Sequence, residues 1–159
     1  MSVAFTREED LEAQAADLPD RPISPHPNLV TPEGLAAIEA ALAEAHAAYG
    51  TAQAKDDVSA DRTAMARATR DLRYWSARRA SAQLVHPPET TDSVAFGSTV
   101  TVEREDGRVQ RFRIVGEDEA DPKEGRISYV SPLARALSGK AVGETAAVAG
   151  GETEILAIE

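Results

Sequence analysis

Three carboxylates, Asp56, Asp57 and Asp61, cluster in the polar stretch Lys55-Asp56-Asp57-Val58-Ser59-Ala60-Asp61. Carboxylate oxygens are the ligands that Mg²⁺ prefers, and acids on the end of a rigid arm can be delivered into a cleft of another molecule. Turns are also rich in Asp for reasons of backbone hydrogen bonding alone. A second acidic run, Asp118-Glu119-Ala120-Asp121, reads as a solvated loop, and His26, His46 and His86 are scattered without metal-ligand spacing. The chain has no cysteine, which excludes disulfides, thiolate zinc sites and cysteine catalysis. It also lacks a nucleophile elbow, a phosphate-binding loop and a dinucleotide glycine pattern, and Gly150-Gly151 reads as a turn. No catalytic set and no metal site of its own emerges.

The elements that position the Asp cluster are two helices. Thr31-Pro32-Glu33 is a helix start: Thr caps, Pro has the φ of the first helical position, and Glu favours the positive end of the helix dipole. Apolar positions then run Leu35, Ile38, Leu42, Ala45, Tyr49 in steps of three and four, a heptad seam. A second seam runs Met65, Ala68, Leu72, Trp75, Ala82, interrupted by Arg79, with Trp75 expected between the two arms. The Asp-rich stretch between the seams predicts a short turn and hence an antiparallel helical hairpin, a coiled coil over residues 31–84. The arms differ in charge. The first carries Glu33, Glu39 and Glu44, and the second carries Arg62, Arg67, Arg70, Arg73, Arg78 and Arg79 against Asp71. That arrangement suits attraction between the arms, and equally a basic stripe for an acidic or phosphate-bearing partner.

Ahead of the hairpin, residues 1–30 contain four prolines between Leu18 and Pro27 and read as an acidic flexible tail. Behind it, the linker 85–93 contains Pro87-Pro88. From residue 94 the apolar period becomes two. Thr99–Glu103 and Val109–Val115 read as strands around an Asp106-Gly107 turn, and Arg126–Val130 as a third strand. Ser131-Pro132 opens a short helix to Leu137, and a strand pair around Gly150-Gly151 ends the chain. The fold class predicted is α+β: an N-terminal helical hairpin followed by a small β domain with one short helix, residues 94–159.

Composition narrows the function. The 159 residues carry a formal net charge of −10, which disfavours a protein that coats nucleic acid. The excess is uneven: residues 1–30 are at −4, residues 31–91 at −1 and residues 92–159 at −5. No window approaches the ~18 apolar residues of a membrane span. The first ten residues are acidic and lack an apolar signal core, so a cytoplasmic protein without a membrane partner is expected.

The β-domain residues go further. Phe96-Gly97-Ser98-Thr99-Val100-Thr101-Val102, Phe112-Arg113-Ile114-Val115-Gly116-Glu117-Asp118-Glu119-Ala120-Asp121 and Ile127-Ser128-Tyr129-Val130-Ser131-Pro132-Leu133-Ala134-Arg135-Ala136-Leu137, with Gly139-Lys140, resemble the Gre transcript-cleavage and elongation factors, the GreA/GreB family. The resemblance implies an FKBP-like C-terminal domain, and bacterial RNA polymerase as the partner, bound at its secondary channel. It implies docking at the channel rim through the loop of Ser131 and Pro132; the basic stripe then places Arg62, Arg67, Arg70 and Arg73 to steer the arm past backtracked RNA, Arg62 and Arg67 as polymerase contacts. Family members carry two acids at the hairpin tip that help hold the polymerase's second Mg²⁺, so the factor is an accessory to transcript cleavage and not itself an enzyme. Here the tip motif Gly-Asp-Leu-x-Glu-Asn-Ala-Glu-Tyr is absent and the arms are shorter. Asp56, Asp57 and Asp61 are the nearest substitutes, with Asp56 and Asp57 as the pair that would share the Mg²⁺. The resemblance therefore leaves open cleavage assistance, channel occupancy without cleavage, and regulation of a different enzyme. It implies a monomer with no cofactor of its own and at most indirect contact with nascent RNA. Prolyl isomerisation is disfavoured, because residues 92–159 hold only Phe96, Phe112 and Tyr129 to line an aromatic pocket.

Overall fold

The computed structural model describes residues 18–54 and 58–159. In chain order the elements are β1 (Leu29–Val30), α1 (Pro32–Ala54), α2 (Val58–Ser81), β2 (Gln83–Leu84), β3 (Thr99–Arg104), β4 (Val109–Val115), a 3₁₀ turn (Pro122–Glu124), β5 (Arg126–Ser128), α3 (Pro132–Leu137), β6 (Thr145–Val148) and β7 (Gly151–Ile158). The α+β class, the helical hairpin and the small β domain with one short helix are as the sequence predicts. The chain divides into two compact units. Among the described residues, one joins residues 18–25 with Ala37–Ser81; the other joins His26–Ala36 with Ala82–Glu159. The described part of the stretch expected as a tail, residues 18–30, is thus shared between the two, and residues 1–17 lie outside the described residues.

In the hairpin unit the two helices run antiparallel. Arg79, near the end of α2, bonds Glu39, near the start of α1, at 3.0 Å. Ala52, near the end of α1, lines one cavity with Met65 and Ala66, near the start of α2. The buried seam of α1 is Ile38, Ala45 and Ala52, one residue per heptad, and Ala68 is buried on α2. Leu42, Tyr49, Met65 and Leu72 are half-buried. Small side chains in the seam let two helices approach closely, which is what an alanine-rich, aromatic-poor sequence can build.

In the β unit five strands lie in the order β5-β4-β3-β7-β6. β3 pairs antiparallel with β4 and β7, β6 antiparallel with β7, and β5 parallel with β4. The Asp106-Gly107 turn closes as expected: Gly107 has φ +83, and the Asp106 carboxylate accepts from the Arg108 backbone N–H at 3.0 Å. Period-two patterning puts Val100 and Val102 of β3 and Ile155 of β7 in the core, with Ile114, Ile127 and Leu137. A register shift between Thr101 and Val102 lets Ile158, beyond the bulge, also turn inward. Phe96 and Tyr129 meet edge to face at 5.7 Å and, with Phe112, pack against this core.

Sequence patterning did not reveal that β1 and β2 form a two-stranded parallel ladder, Leu29 opposite Gln83 and Val30 opposite Leu84. It fastens the two ends of the hairpin segment within the β unit. Thr31 follows β1, is fully buried, and caps α1: its Oγ1 accepts from the Gly34 N–H at 2.9 Å and donates to Glu119 at 2.6 Å. The Leu29 carbonyl lies so close to Gly116 that a Cβ there would stand 2.3 Å from the oxygen. Tyr129 donates its hydroxyl hydrogen to the Pro27 carbonyl.

Two outcomes follow from this junction. Gly116→Ala forces backbone apart and is expected to cost about 1–3 kcal/mol, read as a lower denaturation midpoint in urea with an unchanged slope. Glu33, in the first turn of α1, has its pKa held below the ordinary 4.5 mainly by a backbone N–H bond, against an opposing burial effect, with further help from Arg113 at 3.2 Å. Its folded pKa is depressed, so its contribution is present above the unfolded value and lost as pH falls through the folded one. Glu33→Gln should flatten the fall of Tm with acidification below pH 4.5, measured by calorimetry.

Candidate functional site

Of the three tip acids, Asp56, Asp57 and the side chain of Asp61 lie outside the described residues; the Asp61 backbone is in the first turn of α2. The first helix ends at Ala54 and the second begins at Val58, so Val58, Ser59 and Ala60 of the Asp-rich stretch are helical. Among the described residues no group of three or more His, Cys, Asp or Glu side chains could hold a metal ion, and the three histidines are exposed and apart.

The arginines of α2 separate into three kinds. Arg79 bridges the arms to Glu39 at 3.0 Å, as the charge difference predicts. Arg78 is 2% exposed, so it belongs to the buried interior and not to a solvated stripe. Arg73 pairs with Asp20 at 3.2 Å, and Asp71 pairs with Arg21 at 3.5 Å. Arg62 and Arg67 are exposed and have no ion-pair partner among the described residues. Of the four arginines expected to steer the arm, Arg62 and Arg67 are unpaired among the described residues, whereas Arg73 is paired with Asp20 and Arg70 lies 3.8 Å from Asp71.

The segment holding Asp20 and Arg21 forms a strap along α2. The Arg21 guanidinium carbon sits 3.8 Å from the Tyr74 ring centroid and 5.3 Å from that of Trp75, and the two rings meet edge to face at 4.9 Å. Trp75 is half-buried, short of the full burial expected between the arms, with Tyr74 and Arg21 among the groups that cover it. Sequence reasoning missed the strap because its anchors, one arginine between prolines and one adjacent Tyr-Trp pair, have no periodicity. The prolines were the available signal, since they hold Pro19–Pro22 extended enough to lie along a helix.

The second candidate region is the corner before α3. The Ser131 N–H donates to the Ser128 carbonyl at 2.9 Å, and the Ser131 Oγ accepts from the Ala134 N–H at 3.3 Å as the N-cap. Pro132 is the first helical residue and is exposed, as is Arg135, while Ala134 and Leu137 anchor the helix in the core. The corner thus presents a proline edge and a cation on a short, internally fixed helix. The run 118–121 is committed to structure: Glu119 bonds Thr31, its carbonyl accepts from Arg126 at 3.2 Å, and Asp121 lies 3.8 Å from Arg126.

The fold and these two regions define an α+β protein with an arginine-bearing helical hairpin and a small β domain displaying one proline-capped helix. Residues 89–159 match the family model described as "Transcription elongation factor, GreA/GreB, C-term". Curated relatives agree over that part. The chain is 47% identical over 70 residues to transcription elongation factor GreB of Neisseria meningitidis serogroup B, covering 43% of each chain. It is 54% identical over 57 residues to transcription elongation factor GreA of Brucella canis, covering 35% of this chain and 36% of that one. The chain thus aligns with less than half the length of these curated relatives. Among solved structures, GreA factor homolog 1 (Gfh1) of Thermus thermophilus is 21% identical with a TM-score of 0.40, over 84% of this chain and 99% of the other. GreA/GreB of Nitrosomonas europaea is 18% identical with a TM-score of 0.38, over 84% and 98%. Among the described residues no helix is long and apolar enough to cross a membrane.

The strap yields an expected outcome. Arg21→Ala removes the ion pair with Asp71 and the cation–π contacts with Tyr74 and Trp75, together about 1–2 kcal/mol. Steady-state fluorescence of the single tryptophan should shift to the red. An unshifted spectrum would mean that Trp75 owes its shielding to something other than the strap.

Proposed function

We propose that this protein is a transcription elongation factor that binds bacterial RNA polymerase at its secondary channel and modulates elongation or the cleavage of backtracked RNA. The observation that carries the reading is the GreA/GreB match over residues 89–159, the domain that displays the Ser131-Pro132 corner. That corner would rest on the channel rim. The helical hairpin, whose arms of 23 and 24 residues are each about 35 Å long, would enter the channel. Arg62 and Arg67 would steer it past the phosphates of extruded RNA, contacting the transcript only indirectly. The protein would act in the cytoplasm as a monomer, with no active site or cofactor of its own. Any metal chemistry would belong to the polymerase's Mg²⁺, to which Asp56 and Asp57, with Asp61 beside them, would lend carboxylate oxygens. Since the family's tip motif is absent from this sequence, altered cleavage through channel occupancy is favoured over efficient stimulation.

Binding and chemistry separate experimentally. Purified core polymerase should bind the wild-type chain in surface-based interaction measurements. Pro132→Glu should weaken that binding at least tenfold, about 1.4 kcal/mol or more. Failure of the wild type to bind polymerase ends this reading. On stalled elongation complexes, RNA shortened by wild type but not by the triple variant Asp56→Ala/Asp57→Ala/Asp61→Ala would establish cleavage through the new tip; unshortened RNA with slowed elongation would establish occupancy.

A further inference from the structure

The hairpin unit holds a cavity that shares Arg62 with the proposed channel contact and is otherwise not used by it. An open cavity of about 520 Å³ lies between the strap and the tip-proximal half of the two helices. That volume is in the range of small-molecule sites. Arg62, Arg70 and Arg73 line it, and Ala52, Met65 and Ala66 supply an apolar surface. The three arginines recur at helical spacing along one face of α2, and Arg70 and Arg73, three residues apart, are neighbours that repel. Arg73 is balanced by Asp20 at 3.2 Å. Arg70 is not balanced in the same way: its Nε is buried without a hydrogen-bond partner, and the carboxylate of Asp71 stands 3.8 Å away. Arg62 has no ion-pair partner among the described residues. A buried guanidinium N–H left without an acceptor is costly, and a guanidinium fork matches phosphate oxygens in bidentate fashion.

We propose that this cavity binds a small organic phosphate of mononucleotide size, its phosphate between Arg62 and Arg70 and its organic group against Ala52, Met65 and Ala66. Asp20 neutralises Arg73 at the strap side, so among the described lining residues the guanidinium groups left to take the phosphate are those of Arg62 and Arg70. Bare phosphate would satisfy the guanidinium groups and leave the apolar surface wet. An uncharged nucleoside would do the reverse.

Isothermal titration calorimetry on the full chain in phosphate-free, low-salt buffer tests this without polymerase present, so its outcome is independent of the channel-binding reading. AMP is expected to bind with Kd below about 1 mM, inorganic phosphate at least tenfold more weakly, and adenosine without saturation. The double variant Arg62→Gln/Arg70→Gln should weaken AMP at least tenfold. Arg67→Gln, the same charge change outside the cavity, should leave Kd within about twofold. In wild type, AMP should shift the amide NMR signals of Ala52 and Thr69, a readout that does not depend on how the variants fold. The proposal is overturned if AMP fails to saturate by 10 mM, if phosphate binds as tightly as AMP, or if Arg67→Gln weakens binding as much as the double variant.

Discussion

The hydroxyl of Thr31 is the constraint around which the start of the hairpin is organised. It is fully buried, so both its lone pair and its proton must be used. It uses them in opposite directions, accepting from Gly34 and donating to Glu119. A Cβ at position 34 would stand 2.8 Å from the Glu119 carboxylate, so a larger residue there would displace Glu119 from the cap. Glu119 can reach the cap only because its own loop is held by Arg126. Position 116, at the start of that loop, is glycine for a related reason: it lets β1 come down against the end of β4. A helix cap, two glycines and a loop of acids thus form one interdependent set. The acidic loop that looks solvated in the sequence is a structural part of it.

Much of this was legible beforehand, and the division follows range. Features encoded by near neighbours were readable: the Thr-Pro-Glu start of α1, the heptad steps to Tyr49, the Asp-Gly turn, and the Ser131-Pro132 cap of α3. Features that require distant partners were not. β1 and β2 are two residues each, too short to show a period, and their pairing joins positions more than fifty residues apart. Arg78 looks like its exposed neighbours in sequence, yet the helix turns it into the interior. The recognition of the C-terminal domain rested on specific side chains in a contiguous run, which is why it matched where the hairpin's altered tip offered no motif. The candidate site divides in the same way. The Ser131 corner is local and was readable, whereas the strap of Asp20 and Arg21 on α2 is not.

The charge pattern also takes on a physical sense. An acid excess of ten on the whole chain sits beside a helix with six arginines, and part of that basic charge is neutralised by particular carboxylates. Glu39 answers Arg79 across the arms, Asp20 answers Arg73, and Arg21 in turn occupies Asp71. These pairs are exposed and individually weak. Their effect is less to hold the unit together than to decide which arginines stay unpaired among the described residues, Arg62 and Arg67 among them.

The strand order carries a consequence of its own. The two strands at the margins of the five-stranded sheet, β5 and β6, have three and four residues, while the long β3, β4 and β7 lie inside. Unpaired amide edges are templates on which another chain can add a strand, and short margins offer little purchase for one. Within the β domain the topology itself therefore discourages edge-to-edge assembly, leaving specific association to side chains displayed at corners such as Pro132.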